Sequence, residues 1–158
     1  HSALEKVFAL SQVDKDGSLI LKRDYDPSIP EIYGDEDLFI QAILNIVKNA
    51  QQALLLTTNP VITIKSRVSY SQPINGNLHP TLCEVSIIDN GPGIPTDIQE
   101  QVFFPMVSSK EHGSGLGLSI SQDIIRIHGG AITFKTKSGE TAFSIQIPIK
   151  LNTEVQSA

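Results

Sequence analysis

The sequence predicts an α+β two-layer sandwich: a mixed, mostly antiparallel sheet of about five strands, covered on one face by helices. Apolar residues near 36–56 and 116–128 recur at steps of three and four, the period of a helix that buries one face. Stretches near 19–25, 61–68, 82–88, 131–137 and 141–149 read as strands bounded by Gly, Pro, Asn and Ser. At 158 residues, with 40% apolar and 18% charged, the chain fits one folded unit around a single core.

The elements follow in order. Ala3 to Leu10, with Leu4, Val7, Phe8 and Leu10, reads as a weakly amphipathic helix. Leu19 to Tyr25 alternates as a strand and is stopped by Pro27 and Pro30. Asp35 is the expected N-cap of a long helix reaching about Leu56, and Asp37 adds negative charge to its first turn. Phe39, Ile43, Ile46, Ala50 and Leu54 form its core-facing stripe. Val61 to Val68 and Leu82 to Ile88 read as strands. Between them Ser71 to Pro80, holding Pro73, Asn75, Gly76 and Pro80, reads as an exposed loop. Thr96 is the expected cap of a short helix through Val102, and Phe103 to Gly113, rich in Ser and Lys, reads as mobile. Leu116 to His128 is an amphipathic helix stopped by Gly129–Gly130. Ala131 to Lys137 and Thr141 to Ile149 close the fold as a hairpin around Ser138–Gly139, and Asn152 to Ala158 reads as a frayed tail.

Composition narrows the function. A net charge of −5 with no cluster of Lys and Arg argues against nucleic acid as partner. Cys83 is the only cysteine, so an internal disulfide and a thiolate metal site are excluded, and a reducing compartment, the cytoplasm, is the expected location. Ala42 to Leu56 is interrupted by Asn45, Lys48, Asn49, Gln51 and Gln52, too polar to span a membrane, and no membrane contact is expected. No signal-peptide pattern is read. The chain starts in mid-pattern without a methionine, as a piece of a larger protein would.

Three stretches carry the chemistry. Asn45 and Asn49 lie one helical turn apart and share a face, which Gln52 extends. An amide oxygen is a neutral, hard ligand suited to Mg²⁺ that takes the rest of its shell from water and phosphate. Alone, the pair is as well read as the solvated side of the helix. Asp89 has the strand parity of Cys83, Val85 and Ile87, so its carboxylate falls on an apolar face, where it needs donors. The exocyclic amine of adenine is such a donor; Asp89 is equally well read as the start of the turn Asn90–Gly91–Pro92–Gly93. Gly91 and Gly93 permit close backbone approach. Gly113, Gly115 and Gly117 alternate ahead of a helix whose free amides favour an anion, with Leu116 between them; Lys110 upstream could reach a terminal phosphate, although by itself it is better read as a solvated loop lysine. Position 118 is Leu, which excludes the dinucleotide fingerprint, and no Gly-Lys-Ser/Thr follows, which excludes a Walker loop. Of the histidines, His128 caps the negative end of its helix, and His1, His79 and His112 show no metal or catalytic spacing. Cys83 reads as an inert core thiol.

As a set these residues resemble the ATP-binding catalytic domain of bacterial sensor histidine kinases, within the fold shared with gyrase, Hsp90 and MutL ATPases. Asn45–Asn49 is similar to the N box, Asp89–Gly93 to the first glycine box, Phe103–Phe104–Pro105 to the F box and Gly113–Gly117 to the second glycine box. Thr141, within Gly139–Glu140–Thr141–Ala142–Phe143, matches the late threonine that supports the adenine-binding acid. Asp24 to Pro30 and Phe104 to Ser108 resemble the nitrogen-regulation branch. The resemblance covers about residues 20 to 149 and implies the fold named above, the GHKL or Bergerat fold.

The resemblance implies ATP and Mg²⁺ as cofactors, with Asn49 as the metal ligand, Asn45 near the phosphates and Asp89 on the adenine amine. It also implies that Lys110 to Gly117 form a flexible lid. The hydrolysing relatives carry a glutamate at or near the Asn45 position; here that helix face offers only neutral amides, with no base to polarise water. The implied activity is transfer of the γ-phosphoryl group to a histidine on a separate dimerisation domain, whose motif surrounds none of the histidines here. The implied partners are that domain, a response regulator receiver domain and the small PII signal protein. The implied division is 1–14 as the end of a helical dimerisation region or linker, 15–150 as the catalytic domain and 151–158 as a tail. A conformational ATPase and a nucleotide-sensing docking module are the competing readings.

Overall fold

The computed structural model describes residues 1–12, 17–74, 76–104 and 116–149. Two helices and a strand lead in: α1 (Ser2–Ser11), β1 (Ile20–Tyr25) and α2 (Glu36–Ala53). A long pair of strands follows, β2 (Val61–Ile74) and β3 (Asn77–Asp89), then a 3-10 turn over Thr96–Gln101. α3 (Leu116–Ile127), β4 (Ala131–Lys137) and β5 (Glu140–Pro148) complete the unit. The sheet has the order β1-β2-β3-β5-β4. β1 and β2 are parallel, as a crossover through a helix requires, and every other pair is antiparallel.

The helices lie on one face because the strands alternate. Ile62 and Ile64 of β2, Val85 and Ile87 of β3, and Phe143 and Ile145 of β5 are all at most 7% exposed and meet the apolar stripe of α2. Their neighbours on the opposite face are polar and laddered: Gln146 donates to Glu84, and Ser86 and Ser144 share a hydrogen bond. The sandwich read from the sequence is therefore the fold observed. α2 packs against both α1 and α3.

Local chemistry sets the ends of α2. Asp35 accepts from the backbone N–H of Leu38 and caps the helix, as expected. The helix stops at Ala53 rather than near Leu56, because Leu54 closes it onto the carbonyls of Ala50 and Gln51. Beyond that point the apolar stripe ends: Leu55 and Leu56 are 80% and 100% exposed.

Two expectations are corrected. Ser71 to Pro80 is not a loop; β2 and β3 run on as a two-stranded ribbon whose last pair is Ile74 with Asn77. Gly76, in the connection, has φ +80°, as a tight hairpin turn requires. β1 pairs with β2 only as far as Ser66, and β5 pairs with β3 only from Leu82 onward. Among the described residues each ribbon strand thus has an unpaired outer edge, where Pro73 and Pro80 break no ladder. The second correction concerns Thr96: Pro95 holds the position before the 3-10 turn, and its side chain caps nothing.

α1 is part of this unit. Leu4, Val7 and Phe8 are at most 6% exposed and belong to the core. The Arg23 guanidinium lies 4.0 Å from the Phe8 ring centroid, and Lys6 pairs with Glu36 at 2.9 Å. The tail 151–158 lies outside the described residues.

Candidate functional site

β3 delivers the first site residue. Cys83, Val85, Ile87 and Asp89 share the helix-facing side; the first three are core and the fourth is a carboxylate only 4% exposed. Asp89 Oδ1 accepts from the backbone N–H of Gly91 at 2.9 Å, so the acid does begin the turn. A Cβ on Gly91 would lie 2.9 Å from that same oxygen and 3.4 Å from Leu54. The close approach that demands glycine at 91 is therefore made within the chain. Gly93 answers a second demand, with φ +89° and a built Cβ 2.6 Å from the Lys137 carbonyl.

The neighbouring Asn90 anchors this turn to the rest of the sheet. Its Oδ1 accepts from the Val61 N–H at 2.8 Å and its Nδ2 donates to the Asn59 carbonyl at 2.9 Å. On the other side Ile94 N–H donates to Thr136 Oγ1 at 2.9 Å, and that hydroxyl lies 2.8 Å from Thr141 Oγ1. Thr141 is the register partner of Asp89 across β3 and β5, and each is 4% exposed. Asp89 stands out in the sequence and Thr141 enters through the family resemblance, whereas Thr136 is singled out by neither. Its signal was present: Thr136 has the parity of Ile132 and Phe134, a hydroxyl ending an apolar row just as Asp89 does.

α2 supplies the amides. Asn45 and Asn49 are both half-buried on one helix face. Their helix ends at the Asp89 turn, since Leu54 and the Ala53 carbonyl border Gly91. α3 runs antiparallel alongside. Ser121, fully buried, donates to the Ala42 carbonyl at 2.8 Å, and His128 receives the Asp35 N–H at 3.1 Å. Seven residues on α3 thus match seven on α2, so Leu116 at the start of α3 falls level with about Val47. The positive end of the α3 dipole therefore stands beside the Asn45–Asn49 pair. Leu116 and Gly117 occupy that first turn, whereas Lys110, Gly113 and Gly115 lie outside the described residues, as do Pro105 and His112.

The only carboxylates on α2 are Glu36 and Asp37, more than two turns before Asn45, and Glu36 is paired with Lys6. Among the described residues, no group of three His, Cys, Asp or Glu side chains gathers to hold a metal. A cation here would rely on an amide oxygen and on ligand phosphates, a donor set that fits Mg²⁺. A cavity of about 370 Å³ opens elsewhere, between the first turn of α1, segment 29–36 and Cys83, Val85, Ile145 and Ile147. Its walls include neither Asn45, Asn49 nor Asp89. The constellation of acid, amides and helix terminus marks the site better than the cavity does. Cys83 is 3% exposed and burial pushes its thiol up to about 11, so it is inert as expected. No described helix is long and apolar enough to cross a membrane.

Known proteins resemble the chain in sequence and in fold. Residues 34–151 match the family model described as histidine kinase-, DNA gyrase B- and HSP90-like ATPase. The chain is 46% identical over 149 residues to the sensory histidine kinase/phosphatase NtrB of Vibrio alginolyticus, covering 94% of this chain and 43% of that protein. It is 36% identical over 155 residues to the NtrB of Rhodobacter capsulatus. It therefore spans under half the length of these curated relatives. The solved catalytic domain of histidine kinase ThkA superposes with a TM-score of 0.76 at 27% identity, over 94% of this chain and 91% of that one. ThkA in complex with the response regulator TrrA gives 0.73 at 25% identity, over 94% of this chain and 40% of that one.

Proposed function

The chain belongs to the histidine kinase-, DNA gyrase B- and HSP90-like ATPase family, and from that premise we propose that it is the catalytic, ATP-binding domain of a nitrogen-regulation sensor histidine kinase. It transfers the γ-phosphoryl group of Mg-ATP to a histidine on a dimerisation domain. The observation that carries this is the buried Asp89 at a strand end, one sheet position from Thr141 and beside the end of the helix that bears Asn45 and Asn49.

Each residue has a role in that reading. Asp89 accepts the adenine amine, a contact that a low-dielectric pocket makes selective. Thr141 supports Asp89. Gly91 and Gly93 keep the turn close to the sheet. Asn49 gives its amide oxygen to Mg²⁺, which when bound offsets charge on the phosphates, and Asn45 stands near those phosphates. The start of α3, with Leu116 and Gly117, offers backbone N–H groups to the anion; Gly113, Gly115 and Lys110 complete the lid. Phosphoryl transfer needs positioning more than covalent help from the protein. With no carboxylate on α2 within two turns of Asn45 to activate water, ATP is held for an incoming histidine instead of being hydrolysed.

Residues 1–14 are proposed as the end of a helical dimerisation region or linker, 15–150 as the catalytic domain and 151–158 as a tail. The burial of Leu4, Val7 and Phe8 is the means by which such a region would be clasped to the domain. The proposed partners are the phosphoacceptor domain, a response regulator receiver domain and PII, in the cytoplasm. Titration with ATP and GTP, with and without Mg²⁺, tests base, phosphate and metal roles together. Adding a separate dimerisation domain and γ-labelled ATP then tests transfer. Steady ATP turnover without an acceptor would favour the conformational ATPase; binding without labelling would favour the docking module.

A further inference from the structure

We infer that Thr136 is the positioning residue that sets the adenine-reading pair, Asp89 and Thr141, by tying Thr141, the cross-strand partner of Asp89, to the glycine turn through its hydroxyl. The inference rests on Asp89 reading the base, as proposed above. Thr136 lies on β4, one strand removed from Asp89, and touches both parts of the site at once. The Ile94 N–H occupies one lone pair of its hydroxyl at 2.9 Å, and Thr141 Oγ1 lies 2.8 Å away. A Cβ built on Gly93 would sit 3.3 Å from the same oxygen.

Counting hydrogens fixes the first link of the chain. The backbone amide can only donate, so Thr136 accepts there. Its second lone pair and its own proton remain, so in the contact with Thr141 Oγ1 either hydroxyl can donate. Directly across the sheet, on the same face, stands Asp89, a carboxylate that can only accept. Where Thr136 donates, the order is Ile94 N–H to Thr136 and Thr136 to Thr141, and the Thr141 proton is left for Asp89. Each bond polarises the next in a dry environment. Without the Thr136 hydroxyl, Thr141 loses its hydrogen-bond partner on β4, and the 91–94 turn loses its tie to β4.

The test compares ATP with purine riboside 5′-triphosphate, which lacks the exocyclic amine. Wild-type chain is expected to prefer ATP by about tenfold, the worth of one buried hydrogen bond to a charged acceptor. Thr136→Val keeps the branched shape and removes the hydroxyl; its preference should shrink to about twofold. Thr136→Ser should restore it. A purely structural Thr136 would weaken both nucleotides equally, and that result overturns the inference, as does a Ser variant no better than Val. If Thr136→Val does not fold by circular dichroism, Thr136→Ala makes the same comparison. Absence of any preference in the wild-type chain would instead reject base reading by Asp89, and the Thr136 inference with it.

Discussion

The His128 ring joins two helices: its Nε2 accepts the backbone N–H of Asp35 at 3.1 Å while its Nδ1 lies 2.7 Å from the Ile124 carbonyl. Because Asp35 N–H can only donate, Nε2 must accept, and the hydrogen of the neutral ring sits on Nδ1. One imidazole thus closes the C-terminus of α3 and holds the N-cap of α2. It also packs on Phe39, with centroids 4.3 Å apart. His128→Ala should cost roughly 1–3 kcal/mol, the combined scale of two hydrogen bonds and a lost ring contact. A urea melt checks this; a midpoint unchanged from wild type would show that the bridge contributes nothing.

Asp89→Asn keeps an oxygen for the Gly91 N–H but replaces an acceptor with a donor. The fold should survive, since the turn hydrogen bond remains available. ATP affinity should fall at least tenfold, because a donor then faces the adenine amine. Calorimetric titration of a variant with normal circular dichroism measures it. Unchanged affinity would remove Asp89 from the base site.

Asn49→Ala should weaken Mg-ATP by more than it weakens ADP without metal. An amide oxygen on the cation matters only when the cation is present, whereas a structural amide would affect both ligands alike. Equal losses in paired titrations would assign Asn49 to structure.

Stability should decline with alkali. Burial raises Cys83 to about 11 from 9.0, and burial followed by the nearby Glu5 charge raises Tyr25 to about 12 from 10.0. Both groups are neutral when protonated, so their stabilising effect is full below the unfolded values. It is lost as pH rises toward the folded ones, because only the unfolded chain releases its protons in that window. From pH 9 to 11 Cys83 should account for roughly 2–3 kcal/mol of the loss. Cys83→Ser should flatten that part of the curve in pH-dependent urea melts; an equally steep curve would contradict the assignment.

How much of this was legible beforehand depended on whether the signal was local. The stripe from Phe39 to Leu54 and the parity of Cys83, Val85 and Ile87 are repeated many times over, so helix, strand and buried face could be read directly. Asp89 stood out because a charge interrupts that parity. The ribbon through Ser71 and Pro80 was misread because prolines and glycine speak locally for a loop. Their tolerance depends on free edges, which only the strand order creates. Thr136 ends the apolar row of Ile132 and Phe134, but a hydroxyl there stands out less than a charge, and its partner Ile94 is 42 residues away.

Gly93 and Gly139 make a matched pair for the last prediction. Both have φ +89°, a conformation that costs an L residue about 1–2 kcal/mol. They differ in surroundings. A Cβ at Gly139 meets nothing within 4 Å, whereas at Gly93 it meets the Lys137 carbonyl at 2.6 Å and Thr136 Oγ1 at 3.3 Å. Gly139→Ala should therefore lose only the conformational term and keep its ATP affinity. Gly93→Ala must also push the turn off β4, stretching the Ile94 to Thr136 bond and tilting the Asp89 turn. Its loss should exceed that of Gly139→Ala by about 1–3 kcal/mol, with ATP affinity down several-fold. Melts and titrations of the two variants side by side decide it: equal losses of stability and equal affinity would mean that contact with β4 does not hold the site together.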